Sequence, residues 1–91
     1  MTYKVVTTNH FEKALKKCLK RGLDMSKFKT CVSILASTGS LPAQYRPHKL
    51  VGLYAGAWEC HIQPDWLLVW EQHDDILTLV FLDTGSHSDL F

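Results

Sequence analysis

Residues 58–70, Trp-Glu-Cys-His-Ile-Gln-Pro-Asp-Trp-Leu-Leu-Val-Trp, constrain the fold more than any other stretch. Residues 58–63 alternate. Trp58, Cys60 and Ile62 fall on one side, and Glu59, His61 and Gln63 on the other. Period two is the pattern of a half-buried strand. Pro64 and Asp65 interrupt it and predict a tight turn. Leu67, Leu68, Val69 and Trp70 then form an apolar run, as in a strand covered on both faces. The stretch therefore predicts a hairpin. It places an imidazole, His61, near a strand end and a carboxylate, Asp65, in the adjoining turn.

Around this hairpin the chain supplies a β-α-α-β-β-β order. Residues 3–7 predict a short strand. Asn9 predicts an N-cap, with Glu12 completing a capping box. Phe11, Ala14, Leu15, Cys18 and Leu19 recur at helical spacing and face a core. Gly22 suits the helix end. A second helix begins at Asp24 or Ser26, carries Met25, Phe28, Cys31, Val32 and Leu35 inward, and stops at Gly39. The short link makes the two helices antiparallel neighbours. Residues 41–49 predict a loop, residues 50–54 a short strand, residues 72–75 a turn and residues 76–82 a last strand. Residues 83–88 predict a polar loop before Asp89, Leu90 and Phe91. The expected class is α+β, two helices packed on a small, mainly antiparallel sheet. Ninety-one residues, 46% of them apolar, suit one domain over residues 1–91. No stretch reaches the roughly 20 apolar residues of a membrane helix. The first residues read as a strand rather than a leader, so a cytoplasmic protein is expected. Cys18, Cys31 and Cys60 sit at apolar positions without CxxC spacing and predict buried free thiols over a disulfide or metal site. Trp58 and Trp70 are assigned to the core.

Charge is divided along the chain. All ten Lys and Arg lie at or before Lys49, against only Glu12 and Asp24; residues 51–91 hold seven carboxylates and no Lys or Arg. A basic half suits a polyanion such as nucleic acid, or a simple solvated helix face. Lys13, Lys16, Lys17, Lys20, Arg21, Lys27 and Lys29 make up most of it.

Five histidines are present. His10 and His73 predict surface positions. His48, in a loop with Arg46, His61 at a strand end and His87 after the last strand can meet at one end of the sheet, where Asp65 can join them. The same four are potential zinc ligands, but they lack helical ligand spacing and no cysteine pair supports them. No phosphate-binding glycine loop or nucleophile elbow is present.

Three segments carry a resemblance that extends over nearly the whole chain. His48-Lys49-Leu50, residues 59–66 with His61 and Pro64-Asp65-Trp66, and the terminal Thr-Gly-Ser-His-Ser-Asp-Leu-Phe resemble the YafQ branch of the RelE/ParE toxin superfamily. The resemblance implies a RelE-like microbial ribonuclease fold. It also implies the toxin half of a bacterial type II toxin–antitoxin system, acting as a ribosome-dependent endoribonuclease on mRNA. Carried over by position, His48, His61, Asp65 and His87 become active-site residues, with Trp66 and Phe91 as supporting aromatics and Arg46 beside them. Other branches place Arg and Lys in this cleft; here imidazoles must serve. A toxin of the same fold that inhibits by binding alone, as in the ParE branch, is the alternative. The expected partners are a cognate antitoxin, the ribosome and mRNA. No cofactor and no metal is expected.

That chemistry suits histidine. RNA supplies its own nucleophile, the 2′-hydroxyl beside the scissile phosphate. An imidazole, whose ordinary pKa is about 6.5, can take that proton or give one to the departing 5′-oxygen. His48 or His61 is expected as base and His87 as acid, with Asp65 orienting an imidazole.

Overall fold

The computed structural model describes residues 2–91, apart from the side chain of Leu53. Met1 lies outside them. Five strands form one sheet in the order β1-β5-β4-β3-β2. They are β1 Lys4–Thr7, β2 His48–Lys49, β3 Trp58–Gln63, β4 Trp66–His73 and β5 Thr78–Gly85. The pair β1–β5 is parallel and the other pairs are antiparallel. Helices α1 Asn9–Lys20 and α2 Met25–Thr38 precede the sheet hairpins, and a short α3, His87–Leu90, ends the chain. This is the α+β architecture expected.

Thr8, not Asn9, caps α1. Its backbone is extended, and its Oγ1 accepts from the Phe11 amide at 3.1 Å. Asn9 already belongs to the helix, and the Glu12 carboxylate turns to the Thr7 hydroxyl at 2.8 Å. Asp24 caps α2 by accepting from the Ser26 amide. Phe11, Cys18, Cys31 and Leu35 are buried against Cys60, Ile62, Leu68, Trp70, Leu79 and Phe81 of the sheet. Leu19 departs from its expected inward position and is 60% exposed at the end of α1. Gly39 ends α2 with φ 75°, and a Cβ there would come within 2.6 Å of the Tyr3 ring. Close approach and left-handed backbone both require glycine.

The predicted hairpin forms, with Trp58 opposite Trp70 and Cys60 opposite Leu68. Trp70 is buried, and Trp58 stacks on it at 6.2 Å between centroids. The three cysteines are all buried. Segment ends differ from expectation in three places. Residues 50–54 form a 3₁₀ turn, Gly52–Tyr54, instead of a strand, because the pairing with β3 is confined to His48 and Lys49. Strand β4 continues to His73, so the turn falls at Asp74–Ile76 and Ile76 is exposed. Strand β5 takes in Asp83, Thr84 and Gly85, which pair with Val69, Leu68 and Leu67. Residues 83–88 are thus strand end and helix start, not loop. Among the described residues no helix is long and apolar enough to cross a membrane.

Candidate active site

One face of the sheet packs on the helices; the other carries the ionisable groups. Residues directly opposite in neighbouring strands share a face. The register therefore lays His48, Glu59, Val69 and Asp83 in one row across β2, β3, β4 and β5. A second row holds His61, Leu67 and Gly85. Two irregularities shape these rows. A register shift between His61 and Gln63 lets His61 turn at the strand end. Another between Val69 and Trp70 sets Asp83 beside Val69, away from Phe81 on the helix side.

His87 reaches this face from α3. Its amide donates to Asp65 Oδ1 at 3.0 Å and its Nδ1–H donates to the same oxygen at 2.7 Å. The amide, then the ring N–H, hold the Asp65 carboxyl below the usual carboxylate range. With Nδ1 engaged, His87 Nε2 is left to meet a substrate. The His87 ring lies 5.6 Å from His61, and His61 lies 6.3 Å from His48, centroid to centroid. Helix α3 is only one turn, so it depends on its ends. Ser86 Oγ accepts from the Asp89 amide and Asp89 Oδ2 accepts from the Ser86 amide, a closed capping box. Arg21 donates to both Asp89 oxygens, tying α3 to the end of α1. The guanidinium, then the Ser86 amide, hold the Asp89 carboxyl well below its usual range. Gly85 makes the transition from β5 possible. Its φ is 149°, and a Cβ would meet Asp89 Oδ2 at 2.8 Å.

Glu59 is the residue that sequence reasoning missed. It was placed on the polar face, as found, but it is only 4% exposed. Its Oε1 lies 3.2 Å from His48 Nε2 and 4.0 Å from His61 Nε2. Its Oε2 is buried with no hydrogen-bond partner among the described residues. An unpartnered buried carboxylate oxygen costs roughly 1–3 kcal/mol or more, so its retention at the centre of the cluster points to a task there. The available signal was spacing: a carboxylate two residues before His61 on a strand must share its face.

The tautomers follow from the partners. His48 Nδ1 faces the Arg46 carbonyl at 2.8 Å and its Nε2 faces Glu59, two acceptors. His61 Nδ1 donates to the Pro64 carbonyl at 3.2 Å, and its Nε2 stands beyond hydrogen-bond reach of Glu59. That nitrogen is open to a substrate.

The remaining predicted residues divide. Trp66 is 1% exposed, stacked against Phe28 at 6.2 Å, with its Nε1–H on Thr84 Oγ1. A base cannot stack on a ring so enclosed; Trp66 braces the strand below the site. Phe91 is 67% exposed, one turn after His87, and open to a base. Arg46 holds a left-handed backbone with φ 49°, which presents its carbonyl to His48. Lys13, Lys16, Lys17, Lys20, Lys27 and Lys29 are exposed. The Arg21 guanidinium is engaged by Asp89, as above. His10 and His73 lie at the surface against Asp83 and Glu71. Asp83, nearly buried, also accepts from the Tyr54 hydroxyl at 3.2 Å.

Comparison with known proteins places these features in a family. Residues 3–91 match the family described as bacterial toxin of type II toxin-antitoxin system, YafQ. The mRNA interferase toxin YafQ of Escherichia coli K12 is 36% identical over 85 residues, covering 92% of this chain and 90% of that protein. The crystal structure of YafQ from E. coli BL21(DE3) superimposes with a TM-score of 0.89 at 33% identity, over 98% of each chain. The E. coli DinJ-YafQ toxin-antitoxin complex gives a TM-score of 0.88 at 33% identity, over 100% of this chain and 99% of that one. Sequence, topology and length agree from the first strand to the terminal aromatic, and the chain belongs to the YafQ family of bacterial type II toxin–antitoxin toxins.

Proposed function

We propose that this YafQ-family toxin is an endoribonuclease that cuts mRNA on the ribosome, with His61 as general base and His87 as general acid. The observation that carries this reading is the convergence of His48, His61, Asp65 and His87, from separate segments, on one face of the sheet. His61 Nε2, which stands 4.0 Å from Glu59, takes the proton of the 2′-hydroxyl. The alkoxide attacks the adjacent phosphorus. His87 Nε2–H then protonates the leaving 5′-oxygen, and Asp65, anchored on Nδ1, steadies the ring and its charge. The His61 and His87 rings are near neighbours, 5.6 Å apart between centroids, so acid and base can act on one phosphate. His48, held by two acceptors, supplies positive charge beside the phosphate, where other branches of the superfamily use Arg or Lys. Glu59 accepts from His48 Nε2–H and orients the ring. Phe91 offers a stacking surface for a base.

The DinJ-YafQ complex supports a cognate antitoxin as the second partner. Exposed lysines on α1 and α2 suit ribosomal RNA phosphates. Action on ribosomes places the protein in the cytoplasm. Reversing the charge of Lys16, Lys17 and Lys20 together is expected to weaken ribosome binding about tenfold or more. The slope of log affinity against log salt should become shallower by roughly two. Sedimentation of the purified chain with ribosomes at several salt concentrations measures both. If neither changes, these lysines serve solubility alone.

A further inference from the structure

Beside the catalytic cluster lies a hollow of about 520 Å³, between the first turns of α2, the 3₁₀ turn Ala43–Tyr45 and the end of β3. We propose that it is the subsite for the nucleotide on the 5′ side of the cut, the one whose 2′-hydroxyl attacks. The inference rests on the nuclease reading above and extends it to substrate recognition.

Four observations carry it. The size falls in the range of small-molecule pockets, about 300–1,000 Å³. Its charge is one-sided: Lys27 and Arg46 line it, with no carboxylate among the described lining residues. It opens onto His61 and not onto His87. A nucleotide seated there meets the base of the reaction, while the leaving nucleotide lies towards the acid. Finally, Gln44 and Gln63 present amides that both donate and accept, as the Watson–Crick edge of an unpaired base requires. The hollow follows the outer edge of β3 beyond Glu59, where β2 pairing has ended. Lys27 and Arg46 then hold backbone phosphate, and Gln44 and Gln63 read the base.

Two measurements test this. The first is binding of the isolated chain to a single-stranded RNA of roughly eight nucleotides, 2′-O-methylated throughout so that no nucleophile remains. Fluorescence anisotropy is followed across a salt series. Lys27→Ala with Arg46→Ala should bind about tenfold more weakly, with a salt slope shallower by about 1.4 for two lost phosphate contacts. Lys4→Ala, on the far edge strand, should leave the slope in place. The second is mapping of cut sites on programmed ribosomes. Gln44→Ala and Gln63→Ala should redistribute cuts by roughly fivefold or more according to the base 5′ to the cut, with the 3′ base indifferent. No binding by the unsubstituted chain, an unchanged slope in the double variant, an unchanged cut distribution, or one that follows the 3′ base overturns the assignment. A chain that binds through this hollow yet cuts no RNA would instead defeat the nuclease reading and, with it, the 5′ assignment, leaving the hollow an RNA-binding site only.

Discussion

His87→Ala is expected to lower cleavage of ribosome-bound mRNA by about 10²-fold or more, the usual scale for removing a general acid. The loss should appear in the single-turnover rate, because protonation of the 5′-oxygen belongs to the chemical step. Binding to the ribosome should change little. His87 is half exposed, and the capping box and the Arg21 pair that hold α3 do not use its ring, so the fold should survive. Asp65 accepts the Nδ1–H, and the His87 amide and ring hold its carboxyl below the usual carboxylate range. Removing the imidazole thus leaves a solvated carboxylate and nothing to deliver a proton. A single-turnover rate equal to that of the unsubstituted chain would take His87 out of the site.

Trp66→Ala is expected to cost about 3–5 kcal/mol of folding stability, the range for truncating a large buried aromatic. Folded proteins hold only about 5–15 kcal/mol in total, so much of the population could unfold. The argument is geometric. Trp66 is enclosed by Phe28, and its indole N–H is held by Thr84, whose hydroxyl in turn donates to the Leu67 carbonyl at 2.6 Å. This chain of contacts joins α2 to β4 and β5 directly beneath the row of His61, Leu67 and Gly85. Urea denaturation followed by circular dichroism reads the loss. The more conservative Trp66→Phe should retain cleavage per folded molecule. A stable Trp66→Ala protein with impaired cleavage would mean that the indole acts on substrate after all.

The central hairpin was legible because each signal in residues 58–70 agrees: alternation, a two-residue turn and an apolar run. The same pattern marked Leu67–Trp70 as covered on both faces, and Leu67 and Val69 are indeed fully buried. What alternation does not convey is how far that second covering spreads. Glu59 and Asp83 flank Val69 in its row, and they are buried with it. A polar side of a strand was read as a wet side, and the carboxylate between His48 and His61 was overlooked. The two register shifts are equally silent in the sequence. One extra residue at Leu82 moves Asp83 to the site face, which residue types alone do not foretell. The end of the chain was obscured for another reason. Thr, Gly, Ser, His, Ser and Asp look like a loop until long-range partners are known. Pairing of Thr84 and Gly85 with β4, and Arg21 on Asp89, turn it into strand and helix. His48, His61, Asp65 and His87 were singled out by their places in the chain and given an active-site role by resemblance, and the arrival of His87 among them depends on this closure.

The most direct test of the account is the chemistry of the cut ends. Histidine-driven attack by the neighbouring 2′-hydroxyl leaves a 2′,3′-cyclic phosphate, or the monophosphate from its opening, and a 5′-hydroxyl. Purified chain, free of antitoxin, added to programmed ribosomes should give those ends. Fragments carrying a 3′-hydroxyl and a 5′-phosphate would mean that water, not the substrate's own hydroxyl, attacks, and would contradict the roles assigned to His61 and His87.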